Sequence, residues 1–266
     1  MKQRPSFPAR LDTTLAKNRP NAHGVPMPSV AAVAPHPSKA AAPQGHGMES
    51  SAVRARMVQK LAAGGITDAL VLAAMGTIER HRFVDSALIN QAYEDTSLPI
   101  GLGQTISKPG VVSRMLELLR NGNSGKLGRV LEIGTGCGYQ AAVLSCLATE
   151  VYSIERLRGL HDRARDNLRH LRLANLHLLF GDGMVGYPKG APYAAIIAAA
   201  GGEAVPQAWV DQLAVGGRLV APVVTVGAPG STGSTQALLV LDKTAQGVRQ
   251  TILEAVHFVP LKSGVA

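Results

Sequence analysis

The 266-residue sequence predicts an α/β fold: a mostly parallel central sheet with an antiparallel edge and helices on both faces. Three observations carry this. From Arg129 to Val223, short apolar runs alternate with helical periods of about ten to fifteen residues, the pattern of a parallel sheet. One run, Ala194–Ala199, is apolar throughout, as a strand covered on both faces must be. After Val226 the helical periods stop and two strands follow, joined by a short turn, which fits an antiparallel edge.

Before the alternation lies a different composition. Residues 1–48 hold eight of the sixteen prolines, six Lys or Arg and one acid. The stretch Pro20–Pro43 has neither a helical nor a strand period, so it cannot offset the entropy of ordering and is expected to be a disordered arm. No apolar run follows Lys2 and Arg4, which argues against a secretory signal, and the prolines oppose the amphipathic helix of a transit peptide. A single domain is expected from Glu49 to Ala266, opening with a helical segment over about residues 51–125.

Within that domain the elements follow in order. Ser51–Ala63 and Asp68–Met75 read as short helices, the second capped by Thr67. Thr77–Asp95 is mixed. Leu98–Leu119 contains a glycine-rich turn and then an apolar helix beginning near Pro109. Strands are predicted at Arg129–Ile133, Val151–Glu155, Leu176–Phe180, Ala194–Ala199 and Arg218–Val223. Helices are predicted at Gly138–Ala148, Leu157–Leu171 and Val205–Leu213, the last opened by Pro206. Gln236–Asp242 and Thr251–Val259 form the closing pair around a turn at Gly247, and Gly227–Thr235 reads as a small, polar, mobile loop.

Composition excludes several classes. With 46% hydrophobic and 17% charged residues the chain is not wholly disordered. No stretch of 18 apolar residues occurs, so no plain transmembrane helix and no membrane partner is expected. Cys137 and Cys146 form neither a disulfide framework nor a CxxC pair. The net charge of +9 invites a nucleic-acid reading, but residues 49–266 carry 21 basic and 17 acidic groups, so much of the excess belongs to the arm. No basic stripe is interleaved with aromatics, and nucleic acid is not the expected partner. A monomer is favoured, in the cytoplasm.

The most informative run is Val130–Tyr139, VLEIGTGCGY. It follows a predicted strand and opens a predicted helix. Gly134, Gly136 and Gly138 let the backbone turn sharply and let a ligand approach closely, at the crevice where nucleotide-like ligands bind such sheets. Gly136-x-Gly138-x-x-Ala141 also satisfies the dinucleotide fingerprint, with Glu155 nineteen residues beyond Gly136. The Glu155 carboxylate can accept both ribose hydroxyls of either a dinucleotide or S-adenosyl-L-methionine. Two features favour the second. Glu132, inside the strand, suits a cationic amino-acid ligand better than a pyrophosphate. Gly181-Asp182-Gly183 follows the third strand of the alternation, where Asp182 is placed to accept from an adenine amino group, although a turn role explains Asp182 alone equally well.

The run LEIGTGCGYQAAVL, Glu155, the GDG at 181–183 and LPIGLGQTIS at 98–107 together resemble the protein-L-isoaspartate O-methyltransferase family. QLAVGGRLVAPV (212–223) and HFVPLKSG (257–264) are also similar to it, and the likeness covers residues from about 51 to 266. The glycine loop is shared by many methyltransferases. GQTIS upstream of it is far more specific and sets the substrate class. Departures from the family pattern are Cys137 where Ser is common, the arm, and the length of the 227–235 loop.

The resemblance implies a Rossmann-like S-adenosylmethionine-dependent methyltransferase fold. It also implies transfer of a methyl group from S-adenosyl-L-methionine to the free α-carboxylate of L-isoaspartyl residues in damaged proteins and peptides, initiating repair through a succinimide. Such a carboxylate, with a pKa of roughly 3.3–3.7, is ionised at neutral pH, so the site needs alignment rather than a general base. The resemblance places the active-site serine at Ser107. Its hydroxyl can donate to one carboxylate oxygen while the other attacks, and no Gly-x-Ser-x-Gly elbow marks it as a covalent nucleophile. Ser107 also reads as an N-cap of the helix near Pro109. Gln104 and Thr105 would line the same pocket. Gly183, with Asp182, would belong to the donor site, and Val259 and Leu261 to a segment that closes over the substrate, or to simple edge packing.

Other features have plain explanations. His81, His161, His170 and His177 show no metal spacing with Cys or acids, so no metal is expected. Cys137 at a helix start could be an activated thiol, but a packed loop position is the simpler reading. Six arginines in Arg156–Arg172 form a solvated face or a protein-docking surface. Two other activities share the cofactor residues or the fingerprint: a methyltransferase of the same fold acting on RNA or a small molecule, and a nicotinamide-dependent oxidoreductase. A non-catalytic binding module is the third alternative.

Overall fold

The computed structural model describes residues 51–225 and 235–266. The arm read at residues 1–48, and the 227–235 loop apart from Thr235, lie outside the described residues.

The chain begins with α1 (Ser51–Ala63) and α2 (Ala69–Thr77), followed by two 3-10 turns at Arg80–Phe83 and Ser86–Gln91. The cap of α2 is Asp68, not Thr67: the Asp68 carboxylate accepts from the Leu70 and Val71 N–H groups at 2.9 and 3.1 Å. Thr67 instead gives its N–H and hydroxyl to Glu117. A carboxylate one residue on can reach both orphan amides and also pair with Arg120 at 2.7 Å, so it displaces the hydroxyl as cap. The glycine-rich turn is a hairpin, β1 (Leu98–Gly101) and β2 (Gln104–Ile106), which composition alone concealed. It leads into α3 (Pro109–Arg120), where Pro109 occupies the first turn and Asn121 ends the helix in the left-handed region.

The alternation then runs β3 (Leu127–Ile133), α4 (Tyr139–Leu147), β4 (Ala148–Glu155), α5 (Arg158–Leu168), β5 (Leu176–Phe180), β6 (Tyr193–Ala198), α6 (Gln207–Gln212) and β7 (Leu213–Thr225). β8 (Thr235–Thr244) and β9 (Gly247–Val256) close the chain. The seven-stranded order is β5-β4-β3-β6-β7-β8-β9, parallel through β7 and antiparallel thereafter. This bears out the predicted class and adds the order of the last two strands. Most of the strands are longer than their apolar runs suggest, because ladder pairing continues through polar residues such as Glu150, Thr225 and Lys243.

Side chains alternate across the sheet. Val130, Val151, Ala195, Ile197 and Val220 join the buried side chains of α1 to α5 on one face. Leu131, Ile133, Ile196 and Leu219 join Trp209 of α6 on the other. The helices therefore cover both faces unequally. The crowded face sets the glycine loop and the hairpin above the carboxyl ends of β3 and β4.

Candidate active site

A cleft of about 270 Å³ opens at the carboxyl ends of β3, β4 and β6. Its floor is the loop from Gly134 to Gly138, its roof the β1–β2 hairpin, and one side the segment 259–262. The loop is laced to β4: the Gly134 and Thr135 N–H groups both donate to the Ile154 carbonyl, at 2.9 and 3.1 Å. Gly136 and Gly138 take φ of 57° and 92°, and a Cβ on Gly138 would lie 2.8 Å from Leu168 Cδ1. Only glycine gives both that turn and that close approach of α5.

Glu155 ends β4 and is buried. Its Oε2 accepts from the Gly136 N–H at 2.8 Å and its Oε1 from the Leu157 N–H at 2.9 Å. Each oxygen retains a lone pair for a hydroxyl in the cleft. Glu132 is fully buried on β3, and that burial pushes its carboxyl up to about 8, against the opposing hydrogen bond of Ser153. Oε2 accepts from the Ser153 hydroxyl, which shares a 2.6 Å hydrogen bond with the Thr135 hydroxyl on the cleft wall. Glu132 Oε1 and Gln140 Nε2 are buried without a hydrogen-bond partner among the described residues. Glu132 itself does not line the cleft, so it acts on the cleft through the Ser153 and Thr135 hydroxyls.

Asp182 follows β5 but does not line the cleft. Its Oδ1 accepts from the Met184 N–H at 2.8 Å and its Oδ2 from the Gly264 N–H at 2.6 Å. Gly183 does line it, and a Cβ there would lie 2.6 Å from Ile133 Cγ2. Gln104, Thr105 and Ser107 line the roof together. Ser107 is not the α3 cap: that position is Lys108, which makes no side-chain capping bond. The Ser107 hydroxyl thus remains uncommitted to any hydrogen bond among the described residues. Cys137 is buried, and burial pushes its thiol up, away from an activated thiolate.

The last ten residues form a strap across the strand ends. Gly201 donates to Val259 O and accepts from the Leu261 N–H, both at 2.8 Å. Farther along, Arg156 Nε donates to Gly264 O at 2.8 Å, the Ala266 N–H to Arg156 O at 2.9 Å, and the Arg158 N–H to Ala266 O at 2.7 Å. Val259 and Leu261 are set against the cleft by this path.

The protein-L-isoaspartate(D-aspartate) O-methyltransferase family matches residues 52–266. The chain belongs to this family. A protein-L-isoaspartate O-methyltransferase of Methylibium petroleiphilum is 53% identical over 264 residues, 98% of this chain and 96% of the relative. One from Leptothrix cholodnii is 60% identical over 224 residues, 84% of this chain and 77% of the relative. Among solved structures, a protein-L-isoaspartate O-methyltransferase superposes with a TM-score of 0.69 at 27% identity, covering 80% of this chain and 67% of the other. A Plasmodium falciparum structure, described as a beta-aspartate methyltransferase in complex with S-adenosyl-L-homocysteine, has a TM-score of 0.66 at 23% identity. It covers 79% of this chain and 98% of that one, and it shows the same fold.

In this isoaspartyl methyltransferase family member, the glycine loop, Glu155, Gly183, the hairpin residues and the strap residues meet in one cleft. Glu132 reaches that cleft only through Ser153 and Thr135, and Asp182 is turned to the strap. Thr135, Ser153 and Gln140 escaped sequence reasoning. Thr135 and Gln140 lay inside the glycine motif unassigned, and Ser153 needs the β3–β4 register, which sets it directly across from Glu132. Among the described residues no cluster of His, Cys, Asp and Glu is placed to hold a metal, and no helix is long and apolar enough to cross a membrane.

Proposed function

We propose that the cleft carries out methyl transfer from S-adenosyl-L-methionine to the free α-carboxylate of L-isoaspartyl residues in damaged proteins and peptides. The observation that carries this is Ser107, just past the hairpin, which lines the glycine-floored cleft and whose hydroxyl makes no hydrogen bond among the described residues. Bound there, S-adenosyl-L-methionine supplies an electrophilic sulfonium methyl, whose carbon–sulfur bond breaks onto sulfur as the carboxylate oxygen–methyl bond forms.

The chain's residues hold the two reactants. The Gly134–Gly138 backbone and Gly183 shape the floor. Glu155 accepts the ribose hydroxyls through its remaining lone pairs, and Glu132 acts on the amino-acid end of the donor through Ser153 and the Thr135 hydroxyl on the cleft wall. Asp182 fastens the strap through Gly264, next to Gly183 on the cleft wall. Ser107 donates to one substrate carboxylate oxygen and leaves the other to attack. Gln104, Thr105, Val259 and Leu261 confine the isoaspartyl residue. The nucleophile arrives ionised, so the rate enhancement is largely alignment, which in favourable cases is worth about 7–11 kcal/mol.

The backbone amide nitrogen of the following residue then attacks the ester carbonyl and expels methanol, taking the amide proton with it, which closes the succinimide that begins repair; a free carboxylate offers no such leaving group. The near balance of charge over residues 49–266 supports a protein rather than a nucleic-acid or membrane partner. Two free cysteines support a cytoplasmic setting.

The test is methyl incorporation by the purified full chain into an isoaspartyl peptide and its normal aspartyl twin. Label is expected only in the first. Equal labelling of both overturns the reading.

A further inference from the structure

A second cavity, of about 580 Å³, lies on the other side of Ser107. Ser107 is the one described residue that lines both it and the cofactor cleft. One wall is the start of α3, from Ser107 to Arg114; the other is the end of β9 and the residue after it, from Glu254 to His257, with Leu238 of β8 beneath. Arg114 Nε and Glu254 Oε1 meet at 2.8 Å across these walls. Lys108 stands at the mouth near Ser107, 3.7 Å from Asp95.

We infer that this groove receives the polypeptide flanking the isoaspartyl residue, with Arg114 and Glu254 as specificity-determining residues. The inference rests on the reading of Ser107 given above. A substrate that is one residue of a longer chain cannot be enclosed on all sides: its neighbours must leave the pocket. The cofactor cleft fills one side of Ser107, and the groove offers the exit on the other. The chemistry of the walls matches a polypeptide. Val111, Leu238 and Val256 give an apolar base for varied side chains. The Arg114–Glu254 pair is partly exposed, with 40% and 44% of the two side chains accessible, so it presents a donor and an acceptor to a passing backbone. An ion pair so exposed contributes little to stability, about 0–1 kcal/mol. Binding is the role left for it.

The experiment compares a capped isoaspartyl tripeptide with an isoaspartyl peptide extended by several residues on both sides. The full chain and its Arg114→Ala, Glu254→Ala and Ala255→Trp variants are assayed. Ala255 is exposed on the groove wall, and a tryptophan there fills the groove without deleting a polar contact. The ratio of KM values, extended over tripeptide, is expected to rise roughly tenfold in Arg114→Ala and Glu254→Ala, the scale of one lost hydrogen bond to a charged group, and to rise in Ala255→Trp because the groove is filled. The Kd for S-adenosylhomocysteine and the Tm should hold near those of the parent, and the charge-exchanged pair Arg114→Glu with Glu254→Arg should not restore the parent ratio.

An unchanged ratio in Ala255→Trp with intact Tm overturns the groove and leaves the activity standing. Full restoration by the exchanged pair shows a merely structural tie and also overturns it. A parent enzyme that methylates neither peptide overturns the underlying reading and the groove together.

Discussion

The Asp182 carboxylate accepts the Gly264 N–H at 2.6 Å, and this bond joins the end of β5 to the strap 82 residues later. The same side chain caps the 3-10 turn Gly183–Val185 through Met184. Asp182→Ala removes both. The expected loss is about 1–2 kcal/mol of unfolding free energy. Urea denaturation reads it, and amide exchange at Gly264 should quicken far more than exchange at Ile196 in the sheet. Unaltered exchange at Gly264 would show that the strap is held without Asp182.

Glu132 gives the ligand-free protein a pH dependence of definite sign. Its carboxyl titrates near 4.5 when unfolded and near 8 when folded, because burial penalises the charge. Below the first value it is neutral in both states, and its contribution to stability is fully present. As pH rises between the two, the unfolded chain sheds a proton that the folded protein keeps. Stability is therefore lost progressively up to about pH 8, by an amount on the order of several kcal/mol. Glu132→Gln should flatten that slope. Denaturation midpoints measured from pH 5 to 8.5 compare the two proteins, and parallel curves would refute the assignment.

Ser107 and Glu155 should separate binding from chemistry. Ser107→Ala is expected to lower kcat by roughly ten- to a hundredfold, the scale of one hydrogen bond to a charged group, with little change in cofactor Kd. Glu155→Ala should do the reverse first: it raises the cofactor Kd by about tenfold or more through lost ribose bonds and a loosened Gly136 amide. Calorimetric titration with S-adenosylhomocysteine, paired with turnover assays, resolves the two. Ser107→Ala with parental kcat removes that hydroxyl from the reaction.

Much of this was legible in residues alone. The apolar run at Ala194–Ala199 is a buried parallel strand because its neighbours on both sides are strands. Gly134, Gly136 and Gly138 were readable because the turn they make permits few other residues. What escaped depends on partners distant in sequence. Asp182 reads as an adenine ligand from its place after β5, and nothing local shows that Gly264 returns to the same carboxylate. Thr67 looked like a cap because the Asp68–Arg120 pair, 52 residues apart, is invisible in the helix sequence. Glu132 looked charged because its neutrality comes from burial, which only packing reveals.

The strand β9 lies at the sheet edge, with no strand beyond it among the described residues. Such an open flank invites edge-to-edge polymerisation with other molecules. Here the exposed run Gly247–Ile252 mixes Arg249 and Gln250 with Val248 and Ile252, and the ladder to β8 slips between Ala237 and Leu239. A charged, irregular rim of this kind makes a poor template for a foreign strand. The same rim is a poor match for the β9 edge of a second copy, so the sheet is built to end where the seventh strand ends.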